Sequence, residues 1–97
     1  MIEYLYDAIR ATAGQDVPVY ATFANDDGTF MSEGVVFMLH NPDGSHLATV
    51  EGSYNAETGQ WTFTVPGKVT AGRTGRQLYC FQHEGSELCF KKPYYLM

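Results

Sequence analysis

The sequence predicts an all-β protein, an immunoglobulin-like β-sandwich of about seven antiparallel strands in one domain spanning residues 1–97. Two observations carry that prediction. Short runs of β-forming residues alternate apolar and polar side chains with a period of two. Between them, glycine-bearing turn clusters recur roughly every dozen residues. The composition agrees: 44% hydrophobic and 14% aromatic residues can fill a core, and a domain of this length buries about 60–65% of its unfolded surface.

Taken in order, residues 2–6 (IEYLY) are rich in β-forming aromatics, and residues 6–14 (YDAIRATAG) read as strand or turn. VPVYATF, 17–23, sets Val17, Val19, Ala21 and Phe23 on one face against Pro18, Tyr20 and Thr22 on the other. GVVFMLH, 34–40, is apolar on both faces, as a central strand is. SHLATVEGSY, 45–54, is a weaker strand in which Gly52 marks a bulge. QWTFTVP, 60–66, alternates cleanly, with Trp61, Phe63 and Val65 inward. In the last run, CFKKPYYLM, Pro93 cannot donate a ladder bond, so that strand is bulged there or lies on an edge. Asn25-Asp26-Asp27-Gly28 and Asn41-Pro42-Asp43-Gly44 are Asx-type turns, and the former lacks the ligand spacing of a calcium loop.

Both cysteines lie in QLYCFQHEGSELCF, 77–90. A two-residue turn at Glu84-Gly85 would pair His83 with Ser86, Phe81 with Leu88, Cys80 with Cys89 and Tyr79 with Phe90. Tyr79, Phe81, Leu88 and Phe90 would then face the core. Gln82, Glu87, Lys91 and both cysteines would take the more exposed side. Cys80 and Cys89 would form a close, non-hydrogen-bonded pair, open either to a disulfide or to two reduced thiols.

The net charge of −5 repels phosphate backbones and argues against nucleic-acid binding. No run approaches the about 18 apolar residues of a membrane helix, and Glu3 and Asp7 stand where a signal peptide is basic. The expectation is a soluble protein made without its own export signal. No metal site is expected, because Cys80, Cys89, His83, His40 and His46 match no ligand spacing. No cofactor or catalytic motif is expected either: there is no nucleophile elbow, zincin helix or phosphate loop, and Cys80 and His83 point to opposite faces. Two features suit protein partners. Lys68, Arg73 and Arg76 gather in a glycine-rich segment of an acidic chain, and Tyr4, Tyr6, Tyr94 and Tyr95 crowd the two ends. Self-association through the terminal strands follows as an expectation.

The opening IEYLYDAIRATAG, the middle YNAETGQWTFTVP and the ending GRQLYCFQHEGSELCFKKPYYL resemble small immunoglobulin-like proteins encoded in phages and prophages of Gram-positive bacteria. That resemblance implies a non-enzymatic structural or assembly protein of the virion, in head decoration, neck or tail. Such a protein is made in the bacterial cytoplasm and binds copies of itself or other virion proteins. Trp61 precedes both cysteines, which sit nine apart, so the antibody-type Cys…Trp…Cys arrangement is absent. A second expectation, from another class, is a carbohydrate or cell-surface binding module with Tyr20 and Tyr54 as stacking platforms.

Overall fold

A computed structural model describes residues 8–88 and 90–97. Its elements are β1 (Ile9–Ala11), β2 (Val17–Ala21), β3 (Val35–His40), β4 (His46–Asn55), β5 (Gln60–Val65), α1 (Gly67–Thr70), β6 (Gly75–His83), β7 (Ser86–Glu87) and β8 (Lys92–Leu96). The fold is all-β. Its strands run in the order β1-β8-β6-β3-β4-β5-β2, with β7 paired to β6, and make one nearly closed, barrel-like sheet.

The alternation seen in the sequence sets the inner surface. Val19 and Ala21 of β2, Val35, Phe37 and Leu39 of β3, and Trp61, Phe63 and Val65 of β5 are all buried. β3 lies between β4 and β6, and of its apolar residues Val36 and Met38 on the outer face are half-buried while Val35, Phe37 and Leu39 are fully buried. Phe37 is the hub. Its ring stacks on Tyr79 at 5.4 Å and meets Phe63, Phe81 and Tyr94 at centroid distances of 6.3, 5.5 and 6.0 Å.

β4 is the longest strand, not a weak one. Its residues up to Glu51 pair with β3, and from Gly52 onward they pair with β5. Gly52 is therefore the point where the strand passes from one neighbour to the other, and the Phe63 ring lies where a Cβ would stand, 2.6 Å away. The ladder irregularity falls instead between Leu39 and His40. Four residues expected in a glycine-rich loop form the single turn α1. Its Gly67 N–H donates to Asp16 Oδ1 at 2.7 Å, and Gly14 N–H donates to Thr70 Oγ1 at 3.0 Å, so the β1–β2 connection clasps it. Trp61 ties down another connection by donating from Nε1 to the Met31 carbonyl at 2.8 Å.

The two Asn-x-Asp-Gly turns are built alike. Asn25 and Asn41 each donate from Nδ2 to the hydroxyl four residues on, Thr29 or Ser45, at 3.0 Å. That same hydroxyl donates to Asp27 or Asp43 Oδ1 at 2.6 Å, and the backbone N–H of Thr29 or Ser45 donates there too. These bonds, the hydroxyl's first, hold both carboxyls below their ordinary value of 3.8. One oxygen of each aspartate, Oδ1, is thus spent on the turn.

The 84–85 hairpin has the expected register, His83 with Ser86 and Gln82 with Glu87, and Leu88 N–H donates to the Phe81 carbonyl at 2.8 Å. Beyond that point the expectation fails. β6 goes on to pair with β8, where Tyr79 opposes Lys92 rather than Phe90. Paired positions sum to 169 before the shift and 171 after it, so two extra residues are accommodated between Leu88 and Lys92. Phe90 is carried out of the core and is 88% exposed. Pro93 is not on an edge, since β8 lies between β6 and β1. Met97 N–H donates to the Ala11 carbonyl on the β1 side, and parity aims Pro93's missing donor the same way, one step beyond the last described pair, Ile9 with Tyr94.

Tyr94, expected at an interface, is fully buried in the aromatic core, and its hydroxyl has no partner among the described residues. Burial pushes its phenol up to about 12. A phenol raised in the folded state stabilises fully below pH 10 and loses that contribution as pH rises toward 12. Two pH units of difference amount to about 2–3 kcal/mol. Tyr94→Phe should therefore match the parent's stability at pH 7 or exceed it. It should also lose about 2–3 kcal/mol less between pH 10 and 12, read from denaturant midpoints across that range.

Candidate interaction face

β1 pairs with β8 in parallel and β8 with β6 antiparallel, and these two registers bring distant residues into rows. Tyr94 and Leu96 of β8 point into the core, so Pro93 and Tyr95 point outward. Tyr95 is opposed by Arg10 on one side and Arg76 on the other. The Arg10 guanidinium lies 5.6 Å from the Tyr95 ring centre. Among the described residues neither arginine has a carboxylate at ion-pair distance. Two cations thus flank an outward-facing tyrosine in a chain of net charge −5.

Of the expected site residues, the structure brings Arg76 and Tyr95 together and adds Arg10. Lys68 is exposed on α1, and Arg73 Nη1 donates to Asn41 Oδ1 at 2.8 Å, tied to a turn. Tyr4, Tyr6 and Cys89 lie outside the described residues. Arg10 had no signal of its own in the sequence, because its place depends on a parallel pairing across 85 positions (95 minus 10).

Below that row the same face carries Pro93 with Leu78 and His40, then Cys80 with Met38 and Thr49, then Glu87 with Gln82, Val36 and Glu51. Cys80 is on the outer side, as the hairpin register requires, but it is buried, not exposed. Met38 opposes it directly, and His40 Nε2 stands 3.6 Å from its Sγ. Alternation assigns a side, while burial depends on what packs there, and Met38 and His40 both stand against Cys80 on that side.

His40 is buried as well, and its Nδ1 has no partner among the described residues. Desolvation holds its imidazole below the ordinary 6.5, and the nearby charges of Lys91 and His46 act the same way, while Glu87 and a weak interaction with the Ser45 backbone oppose them. The His40–Cys80 contact is therefore that of a neutral imidazole, not of an imidazolium that would stabilise a thiolate. A histidine depressed in the folded state supports folding above pH 6.5, and that support is lost as pH falls through its lowered value. The stability of the parent should drop below pH 6.5 more steeply than that of His40→Leu, as measured by urea midpoints from pH 7.5 to 4.5. Equal slopes would place the acid sensitivity at another group.

His46 Nε2 is 2.9 Å from Thr49 Oγ1, which donates to Met38 Sδ at 3.2 Å. His83 lies on the other face of β6 from Cys80, paired with Val35. Among the described residues no three His, Cys, Asp or Glu side chains converge as a metal requires, and no helix is long and apolar enough to cross a membrane. Tyr20 and Tyr54 do not share a face. Tyr20 opposes outward-facing Thr62 and is 47% exposed, whereas Tyr54 opposes buried Trp61 and packs on its ring at 5.4 Å. No protein-family model and no curated protein matches the chain.

Proposed function

We propose that this chain is a non-enzymatic assembly module that acts through protein–protein contacts, and that it serves as a structural component of a phage or prophage virion, in head decoration, neck or tail. The observation that carries the contact reading is the outward row Arg10–Tyr95–Arg76, whose arginines have no carboxylate at ion-pair distance among the described residues of an acidic chain. Arginine and tyrosine are the side chains that most often anchor protein interfaces. The strand order supports an immunoglobulin-like sandwich as the finer description of the fold. β2, β5 and the second half of β4 would form one layer, and β1, β8, β6, β3 and the first half of β4 the other. The virion assignment comes from the resemblance of the opening, middle and closing stretches to small phage proteins.

The test is particle co-purification. Particles prepared from cells carrying a tagged chain should hold it at fixed stoichiometry through a density gradient, and Arg10→Glu/Arg76→Glu should reduce that stoichiometry at least about tenfold. A tagged chain absent from purified particles would overturn the virion assignment. Undiminished incorporation of the charge-reversed chain would overturn the role given to the row.

A further inference from the structure

The outer face of β1, β8, β6, β3 and β4 has ends of opposite charge. Arg10 and Arg76 flank Tyr95 at one end. At the other, Glu87 stands beside Gln82, six positions further along β6 than Arg76. With about 3.3 Å per residue the two rows are about 20 Å apart. Arg10, Arg76 and Glu87 are exposed, and Tyr95, Pro93, Leu78, Met38 and Val36 between them are half-buried. Among the described residues the counter-charge of Glu87 is Lys91, at 3.5 Å on the surface, where such a pair is weak and readily exchanged.

We propose that this face pairs with the same face of a second copy of the chain, about a two-fold axis that lies in the interface and runs across the strands between the Leu78 and Cys80 rows. This proposal rests on the assembly reading above and names its partner. The symmetry follows from the register. A two-fold axis along the strands would stack arginine row on arginine row. An axis across them reverses the strand direction and leaves each strand over its own counterpart. β7 continues the position of β8 beside β6, since both pair with the same edge of that strand. Glu87 of one copy is therefore brought over Tyr95 of the other, about one strand spacing, 4.8 Å, from both Arg10 and Arg76. One carboxylate meets two guanidiniums at each end, and the interface is isologous and closes. Half-buried Leu78, Pro93 and Met38 occupy the centre, supplying apolar contact.

Five strands by 20 Å give about 400 Å² per copy, half the roughly 800 Å² of a standard interface. The pair should accordingly be weak and reversible, with a dissociation constant on the order of tens to hundreds of micromolar. Such a contact becomes effective when many copies are held close together on one assembly.

The experiment is sedimentation velocity on the full chain up to about 500 µM, a concentration at which a pair of this strength is substantially dimeric. The parent should shift toward dimer across that range. E87R alone and R10E/R76E alone should each be monomeric, because each sets like charges opposite one another. A mixture of the two variants should recover dimer of the parent's strength, since every contact is then again between opposite charges. Circular dichroism of each variant confirms folding, and the recovery on mixing could not come from misfolded chains. A parent that stays monomeric at 500 µM, or a dimer indifferent to the two reversals, overturns the proposal. Neither result touches the assembly reading if the chain still co-purifies with particles. Loss of co-purification with an intact, charge-dependent dimer overturns the particle assignment and leaves this pairing standing.

Discussion

Phe37→Ala is expected to cost about 3–5 kcal/mol, the range for removing a fully buried phenylalanine. The upper half of that range applies here because Phe37 is entirely buried and touches four other rings, Phe63, Tyr79, Phe81 and Tyr94. These partners come from β5, β6 and β8, so no single element can move inward to fill the void. Each ring is also held by further contacts: Phe63 stacks on Trp61 at 5.7 Å, and Phe81 meets Phe23 at 5.0 Å. A domain of this size has about 5–10 kcal/mol in total, so the variant should be largely unfolded at 37 °C or melt tens of degrees early. Phe37→Leu, which keeps most of the volume, should lose less than half as much. Thermal and urea unfolding by circular dichroism decide the matter. A loss under 1 kcal/mol for the alanine variant would mean that Phe37 is not the centre of the core.

Gly67→Ala should rank second, with a loss of about 2–4 kcal/mol. An added Cβ would press on the Gly14 carbonyl oxygen and stand 2.6 Å from its carbon and 2.9 Å from Gln15 N. These are backbone atoms, which cannot rotate aside as a side chain would. Relief requires the β1–β2 connection to lift off α1. That would break the Gly14 N–H bond to Thr70 Oγ1 and the Gly67 N–H bond to Asp16 Oδ1, leaving nearly fully buried Thr70 without one of its partners. Lys68→Ala, next to it on the exposed side of the same turn, should stay within about 0.5 kcal/mol of the parent. Equal stabilities for the two alanine variants would show that the clasp contributes nothing.

The clasp also shows where local reading stops. PGKVTAGRTGR holds three glycines in eleven residues and reads as a loop. It nevertheless winds one helical turn, because a separate connection, some fifty residues earlier in the chain, supplies the acceptor for Gly67 N–H and the donor for Thr70 Oγ1. The Asn-x-Asp-Gly turns behave in the opposite way. Every bond that builds them lies within five residues, and their form was legible from the residue types.

What the sequence by itself determined is what depends on neighbours along the chain. Alternation chose the inward side of β2, β3 and β5, and Glu84-Gly85 set the first pairs of the last hairpin. These are decided by the two-residue period of an extended backbone and by the positive φ of turn residues, and both act over a few positions. Only the tertiary structure decided which rows form across strands far apart in sequence. It slipped the ladder by two between β7 and β8, exposing Phe90, and it buried Cys80 on a side that alternation had marked as outer. It also set Arg10 and Arg76 about Tyr95. The reason is physical: a strand's own residues say which way each side chain points, but what it meets there is set by the partner strand and its register, a free-energy balance over the whole core.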